Sequence, residues 1–324
     1  MKPLAPPAQQ LSLFDAGIDL TRLRAVVLEV CSTAMLAPHT SRSYRSSWNL
    51  FCDWCRDSGR VALPASPDVV CLYCGWCVTD AGYRLSSVRL HLSAIRHKHK
   101  VEGFACPVDA SVVELMRAFA RQLKERPRGR RALTPSQLRR VSSLLAKDGS
   151  VIAARDRALL VLGFALGWRG SELARLQVSD VLLERRGLRV FQGWGKTDQE
   201  GKGREVGIPR GLNAETCPVV ALDAWLKVRG KEDGPLFLTI RKNGRVKGSA
   251  VTGPVVNEVL KARMRGAGMK PVNYGSHSLR VGCVTAAAES GATELAIMQR
   301  TGHRSIEMVL KYTRPARAFA CDPL

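Results

Sequence analysis

From Leu20 to about Leu123 the apolar positions recur at intervals of three and four, which predicts a series of amphipathic helices. The clearest begins at a Ser86-Ser87 cap. It keeps Val88, Leu92 and Ile95 on one face and turns Arg89, Ser93, Arg96 and Lys100 outward, so one helix carries a basic stripe, and the dense run Arg96-His97-Lys98-His99-Lys100 that ends it is either a solvated face or a nucleic-acid contact. Residues 1–18 are rich in Pro and Ala without a lasting period and read as a mobile tail. The run Lys124-Glu-Arg-Pro-Arg-Gly-Arg-Arg131 breaks the periodicity with Pro127 and Gly129 and marks a flexible basic connector. Thr134, Pro135 and Gln137 then announce a capped helix.

Beyond that cap, Ala153 to Trp168 is apolar nearly all round, the signature of a helix central to a core. Gly187 to Gln192 and Arg204 to Ile208 read as two strands of a hairpin with a long polar tip, Gly193 to Gly203. Helical patterns resume at Val219–Val228, Val251–Met264, Ser278–Ser290, Thr293–Arg300 and Ser305–Tyr312. The pattern gives a tail at 1–18, a helical domain at 19–124, a linker at 125–133 and a second domain at 134–324, mostly helical with one small sheet.

Composition narrows the partner. With 50 Lys and Arg against 28 Asp and Glu, a formal charge of +22 exceeds what solubility asks for and points to a polyanion, nucleic acid ahead of acidic lipid. No apolar run reaches the length of a membrane span and no basic-then-apolar leader opens the chain, so a soluble, cytoplasmic protein is expected. Cys52-x2-Cys55 and Cys71-x2-Cys74 formally fit a zinc ribbon, but both pairs lie in helical apolar patterns where cysteine serves as a small buried hydrophobe, and no metal is expected there. There is no Walker loop, no carboxylate cluster spaced for two metals and no dinucleotide fingerprint, so no cofactor is expected.

Four separated pieces of the second domain carry chemistry: Arg169-Gly-Ser-Glu-Leu173, Lys196-Thr197, His277-Ser-Leu-Arg280, and Gly302-His303 followed by Tyr312. In this order, after a basic helical domain, they resemble the tyrosine recombinase (phage integrase) family, whose catalytic set is Arg, Lys, His-x-x-Arg, His or Trp, and Tyr. The resemblance covers about residues 38–314, and Thr40 to Trp54, Leu85 to Lys100 and Leu236 to Val246 look like the layout of Cre-type and Xer-type members. Two departures are visible: His303 stands where Cre-type enzymes carry Trp, as in most of the family, and only twelve residues follow Tyr312.

The resemblance implies a mainly α, two-domain protein: a SAM-like helical core-binding domain and a mixed α/β DNA breaking-rejoining domain that close as a C-shaped clamp on duplex DNA. It implies a homotetramer on two sites, each of inverted-repeat form, exchanging strands through a Holliday junction. Tyr312 is then the nucleophile that forms a 3′-phosphotyrosine. Arg169 and Arg280 clamp the phosphate, because a guanidinium fork binds two oxygens at once and stays charged. His277 takes the phenol proton, His303 gives an N–H to a phosphate oxygen and Lys196 protonates the leaving 5′ oxygen. Lys202 competes with Lys196, whose distance from Arg169 fits the family better. Glu172 orients Arg169 or His277. DNA contacts are expected from Arg42, Arg45, Ser86, Ser87, Arg89, Arg96, Lys98, Lys100, Arg128, Arg130 and Arg131. A type IB topoisomerase, which shares the chemistry but works alone without a defined site, and a catalytically silent DNA-binding protein are the two rival readings.

If Arg89 reads a base edge, Arg89→Ala weakens a cognate duplex more than a random one in a binding titration; equal weakening removes that role.

Overall fold

The computed structural model describes residues 23, 38–125, 130–193, 203–241 and 243–316. The chain divides into two compact units, one within Met1–Pro127 and the other within Arg128–Leu324.

The described part of the first unit has four helices: α1 (Pro38–Asp57), α2 (Pro67–Thr79), α3 (Leu85–Val101) and α4 (Ala110–Leu123). They bury Phe51, Val70, Tyr73, Val88, Ile95 and Val112, with the Phe51 and Tyr73 rings edge to face at 4.9 Å. Cys55, Cys74 and Cys77 belong to this core. Burial pushes the Cys55 and Cys74 thiols up to about 11 and about 12, which disfavours the thiolate a metal would need. Among the described residues no group of three or more His, Cys, Asp or Glu is arranged to hold a metal ion.

The basic helix differs from its sequence reading in two ways. It starts one residue before the serines, with Arg84 at the N-cap and no side-chain cap, because Leu85 is buried and draws the first turn into the core. His99 also leaves the basic run that ends the helix. It is fully buried, accepts from the Ala65 amide through Nε2 at 2.9 Å, and is 2.9 Å from the Ile95 carbonyl through Nδ1.

The second unit is built on α6 (Val151–Leu166), flanked by α5 (Pro135–Asp148), α8 (Pro218–Arg229) and α10 (Ser276–Glu289). Thr134 and Gln137 close the expected reciprocal cap on α5, with Pro135 in its first turn. A short α7 (Gly170–Leu173) follows α6; α9 (Gly253–Gly266), α11 (Glu294–Thr301) and α12 (Ile306–Ala316) are the other α-helices among the described residues. The hairpin is present as β2 (Gly187–Gln192) and β3 (Arg204–Pro209), antiparallel from Gly187↔Pro209 to Gln192↔Arg204.

The sheet content is larger than the pattern suggests. β1 (Val181–Glu184) extends the hairpin to three strands, and β4 (Leu238–Ile240) pairs with β5 (Val246–Ala250) as a second, two-stranded sheet. These strands lack a period that could reveal them: Leu182 and Leu183 in β1 are both exposed, and β4 has three residues. Arg130, Arg131 and Leu133, read as connector, are docked on the second unit. Arg130 donates to the Val272 carbonyl, the Arg131 amide to Asn273 and the Leu133 amide to Ser278. Among the described residues no helix is long and apolar enough to cross a membrane.

One buried ion cluster ties α6 to α9. Asp156, 3% exposed at its side chain, receives Arg155 at 2.6 Å and Arg263 at 2.7 Å. Removing its carboxylate takes the ion-pair partner from buried Arg155 and part-exposed Arg263, so Asp156→Ala should cost about 3–5 kcal/mol in chemical denaturation of the intact chain. A loss below ~1 kcal/mol contradicts this reading.

Candidate active site

The site begins where α6 stops. Gly167 caps the helix at φ 64°, and a Cβ there would come within 2.9 Å of both Thr301 and Cys283, so the turn needs glycine for its conformation and for its neighbours. The chain then buries Trp168, whose Nε1 donates to the Arg300 carbonyl at 3.1 Å, and delivers Arg169 at the N-cap of α7. Glu172, one turn on, holds Arg169 twice. Its carboxylate accepts the Arg169 amide at 2.8 Å and Nη1 at 2.6 Å, while being almost wholly buried itself. Of the two partners anticipated for Glu172, Arg169 is the one it contacts here.

Arg280, on the second turn of α10, is 1% exposed. Its Nη1 donates to the Gly167 carbonyl at 2.8 Å and the Thr301 carbonyl at 2.5 Å, and its Nε donates to His303 Nε2 at 3.2 Å. Its Nη2 is buried with no hydrogen-bond partner among the described residues. A buried donor left unmatched costs on the order of 1–3 kcal/mol, which marks a position kept for an acceptor. Burial and then the Arg169 charge lower the Arg280 pKa to about 10, so the guanidinium remains charged at neutral pH.

α11 ends in a left-handed Gly302, which turns His303 back beneath Arg280. His303 Nδ1 lies 2.6 Å from the Thr301 hydroxyl, so both ring nitrogens are engaged inside the protein. Burial first, then Arg280, Arg169, His277 and Arg204, push its pKa down to about 3. On α12, Tyr312 Oη lies 3.2 Å from His277 Nε2. Partial desolvation, followed by Arg280, Arg169 and Lys311, holds His277 below the ordinary histidine value, so its ring is neutral and able to accept a proton near pH 7.

Folding therefore gathers Arg169, His277, Arg280, His303, Tyr312 and Glu172 into one electropositive site. Lys196, Lys202 and Arg128 lie outside the described residues. Gln192, Gly193, Gly203 and Arg204, which flank the Lys196 segment, line one cleft with Gly302, His303 and Arg304. In the first unit, Arg42, Arg45, Ser86, Arg89, Arg96 and Lys100 are exposed, while Ser87 and Lys98 are half-buried. Lys98 pairs with Glu102 at 2.5 Å. Arg130 and Arg131 are exposed on the second unit.

Two residues at the site escaped the sequence. Arg204, at the last rung of the hairpin, lies 5.3 Å over the Trp168 ring, donates to Gln192 Oε1 at 2.6 Å and reaches the Gln299 carbonyl at 3.2 Å. Burial lowers its pKa, and nearby Arg169 lowers it further against the opposing pull of Glu172. Thr301 is the second. No motif marks either one, since their importance comes from contacts across the fold.

The sequence matches the phage integrase family over residues 131–318. It is 31% identical over 292 residues to the integrase/recombinase xerD homolog of Selenomonas ruminantium, spanning 89% of this chain and 85% of that protein. It is 25% identical over 294 residues to recombinase cre of Escherichia phage P1, spanning 85% and 84%. Among solved structures, the Tn1549 transposon integrase in complex with transposon right end DNA shares the fold at TM-score 0.61 and 16% identity, covering 88% of this chain and 92% of that one. A lambda integrase dimer bound to a core site does so at TM-score 0.59 and 16% identity, covering 94% and 98%.

The chain belongs to the phage integrase family. It is a tyrosine recombinase, an enzyme that breaks and rejoins DNA strands, and the topoisomerase and silent-binder readings are not favoured.

The depressed His303 pKa has a thermodynamic sign. Between about 3 and 6.5 the unfolded chain binds a proton that the folded site refuses, so stability is present above the ordinary value and lost on acidification. From pH 7.5 to pH 5 this contributes a loss of about 1–2 kcal/mol. Chemical denaturation at both pH values should show a smaller loss for His303→Asn than for the wild type; equal losses contradict the shift.

Proposed function

We propose that the second unit cleaves DNA at a defined site through Tyr312 and passes the strand to a partner duplex. The observation that carries this reading is the uncommitted, buried Nη2 of Arg280 in a site where Tyr312 Oη stands 3.2 Å from a neutral histidine.

Attack on a DNA phosphodiester adds charge to oxygens that are already anionic, so the first need is fixed cationic donors where that charge develops. Arg280 and the Glu172-held Arg169 meet this need. The Tyr312 oxygen forms a bond to phosphorus as its proton passes to His277, and the bond from phosphorus to the 5′ oxygen breaks. A tyrosine hydroxyl has an ordinary pKa of ~10, hence the requirement for an acceptor at hydrogen-bond distance. Lys196 gives the leaving oxygen its proton. The phosphotyrosine ester keeps the bond energy, so a 5′ hydroxyl from the partner duplex reverses the step and neither nucleotide nor metal is consumed. The chain acts on double-stranded DNA, with four protomers on two inverted-repeat sites, and works in the cytoplasm. The exposed basic stripe of α3 supports a role for the first unit in holding that DNA, with Arg89 among its exposed side chains.

The test uses a nicked duplex from which the cleaved end diffuses away, with its sequence taken from a selection of random DNA for binding. Wild type yields a denaturation-resistant protein–DNA adduct and Tyr312→Phe yields none. Arg169→Ala and Arg280→Ala each slow adduct formation by about 10²–10³-fold. An adduct that survives Tyr312→Phe overturns the assignment, and relaxation of any supercoiled plasmid without recombinants would return the topoisomerase reading.

A further inference from the structure

We infer that Thr301 is a positioning residue which, through the tautomer it imposes on His303, fixes the Arg280 guanidinium in the orientation that presents Nη2. This rests on the reading of the site as a phosphate pocket and adds a residue to it.

The direction of each hydrogen bond follows from which atoms can donate. The Thr301 hydroxyl has one proton, and the Ile297 carbonyl at 2.6 Å can only accept it. The same hydroxyl oxygen, 2.6 Å from His303 Nδ1, must then accept, so Nδ1 carries the ring proton. The other end of the ring gives the same answer independently. Arg280 Nε is an N–H 3.2 Å from His303 Nε2, and a protonated Nε2 would set donor against donor. Doubly protonated imidazole would meet the same conflict, in keeping with the low pKa of this histidine. The order is Arg280 Nε–H to His303 Nε2, then His303 Nδ1–H to Thr301 Oγ1, then Thr301 O–H to Ile297 O.

Thr301 therefore grips Arg280 twice, directly through its carbonyl and indirectly through its hydroxyl and His303. Thr301, His303 and Arg280 are at most 5% exposed, so water is poorly placed to replace a missing link. Counting donors, Nε goes to His303 and Nη1 to the Gly167 and Thr301 carbonyls, which leaves the two N–H bonds of Nη2 for a phosphate. With this tautomer His303 acts first as an acceptor that holds Arg280, and an N–H from His303 to phosphate requires the chain to be broken.

Thr301→Val keeps the shape and removes the hydroxyl; Thr301→Ser keeps the hydroxyl and removes the methyl. Nitrogen-15 NMR of histidine-labelled full-length protein reads the His303 tautomer, and adduct formation at saturating nicked duplex reads the chemical step apart from DNA affinity. The expected results are a protonated Nδ1 and bare Nε2 in the wild type, and loss of that state in Thr301→Val. The Val variant slows adduct formation about 10–100-fold at unchanged DNA affinity, and Ser restores both readouts. A protonated Nε2 in the wild type, a Val variant as fast as wild type, or a Ser variant as slow as Val overturns the inference. If the wild type forms no adduct at all, the recombinase mechanism fails instead, and the ring nitrogens still decide the role of Thr301.

Discussion

One buried cation organises this site. A guanidinium withdrawn from water is costly unless its donors are matched, and Arg280 has three of its five N–H bonds matched by two carbonyls and an imidazole. Those partners come from distant segments: Gly167 ends α6, Thr301 ends α11, and His303 follows the turn after it. Satisfying Arg280 therefore requires that α6, α10 and α11 meet at one point. The same meeting brings Arg169 in beside Gly167, so the fold's polar accounting and the site's chemistry are one constraint.

The surroundings are arranged to keep positive charge where charge repels charge. Burial depresses Arg280 and both histidines first; Arg169 lowers all three further and Arg280 does the same to the histidines, so the two imidazoles stay neutral. Glu172 is the carboxylate that opposes this among the named neighbours, and it is spent on Arg169. Such a pocket is unfavourable by itself and favourable around an anion, which is the electrostatic preorganisation that phosphoryl transfer needs. Arg204 adds to the field from the last described rung of the β2–β3 hairpin, over the ring of the Trp168 that directly precedes Arg169.

Much of this was legible in the sequence, for a physical reason. Arg169, His277, Arg280, His303 and Tyr312 each sit in a short motif whose order along the chain is distinctive, and the helices between them show their buried faces through spacing. The helix start at Leu85 was misread because serine is a favoured cap, yet a buried leucine outweighs a cap worth about 1 kcal/mol. β1, β4 and β5 were missed because short, partly exposed strands leave no alternation to read. His99 looked like part of a basic surface, since sequence spacing does not say that a loop amide at Ala65 will meet its ring. Thr301 and Arg204 were invisible for the same reason: their partners lie in the tertiary structure.

If Arg280 works by answering the negative charge of a DNA phosphate, its removal should matter less where that charge is absent. The most direct measurement compares Arg280→Ala with wild type on a selected DNA site carrying either a normal phosphodiester or a neutral methylphosphonate at the cleaved position. The expected loss caused by the substitution is large on the phosphodiester and shrinks markedly on the neutral linkage. An equal loss on both would mean that Arg280 serves only to hold the fold together, and the account of the site would be wrong.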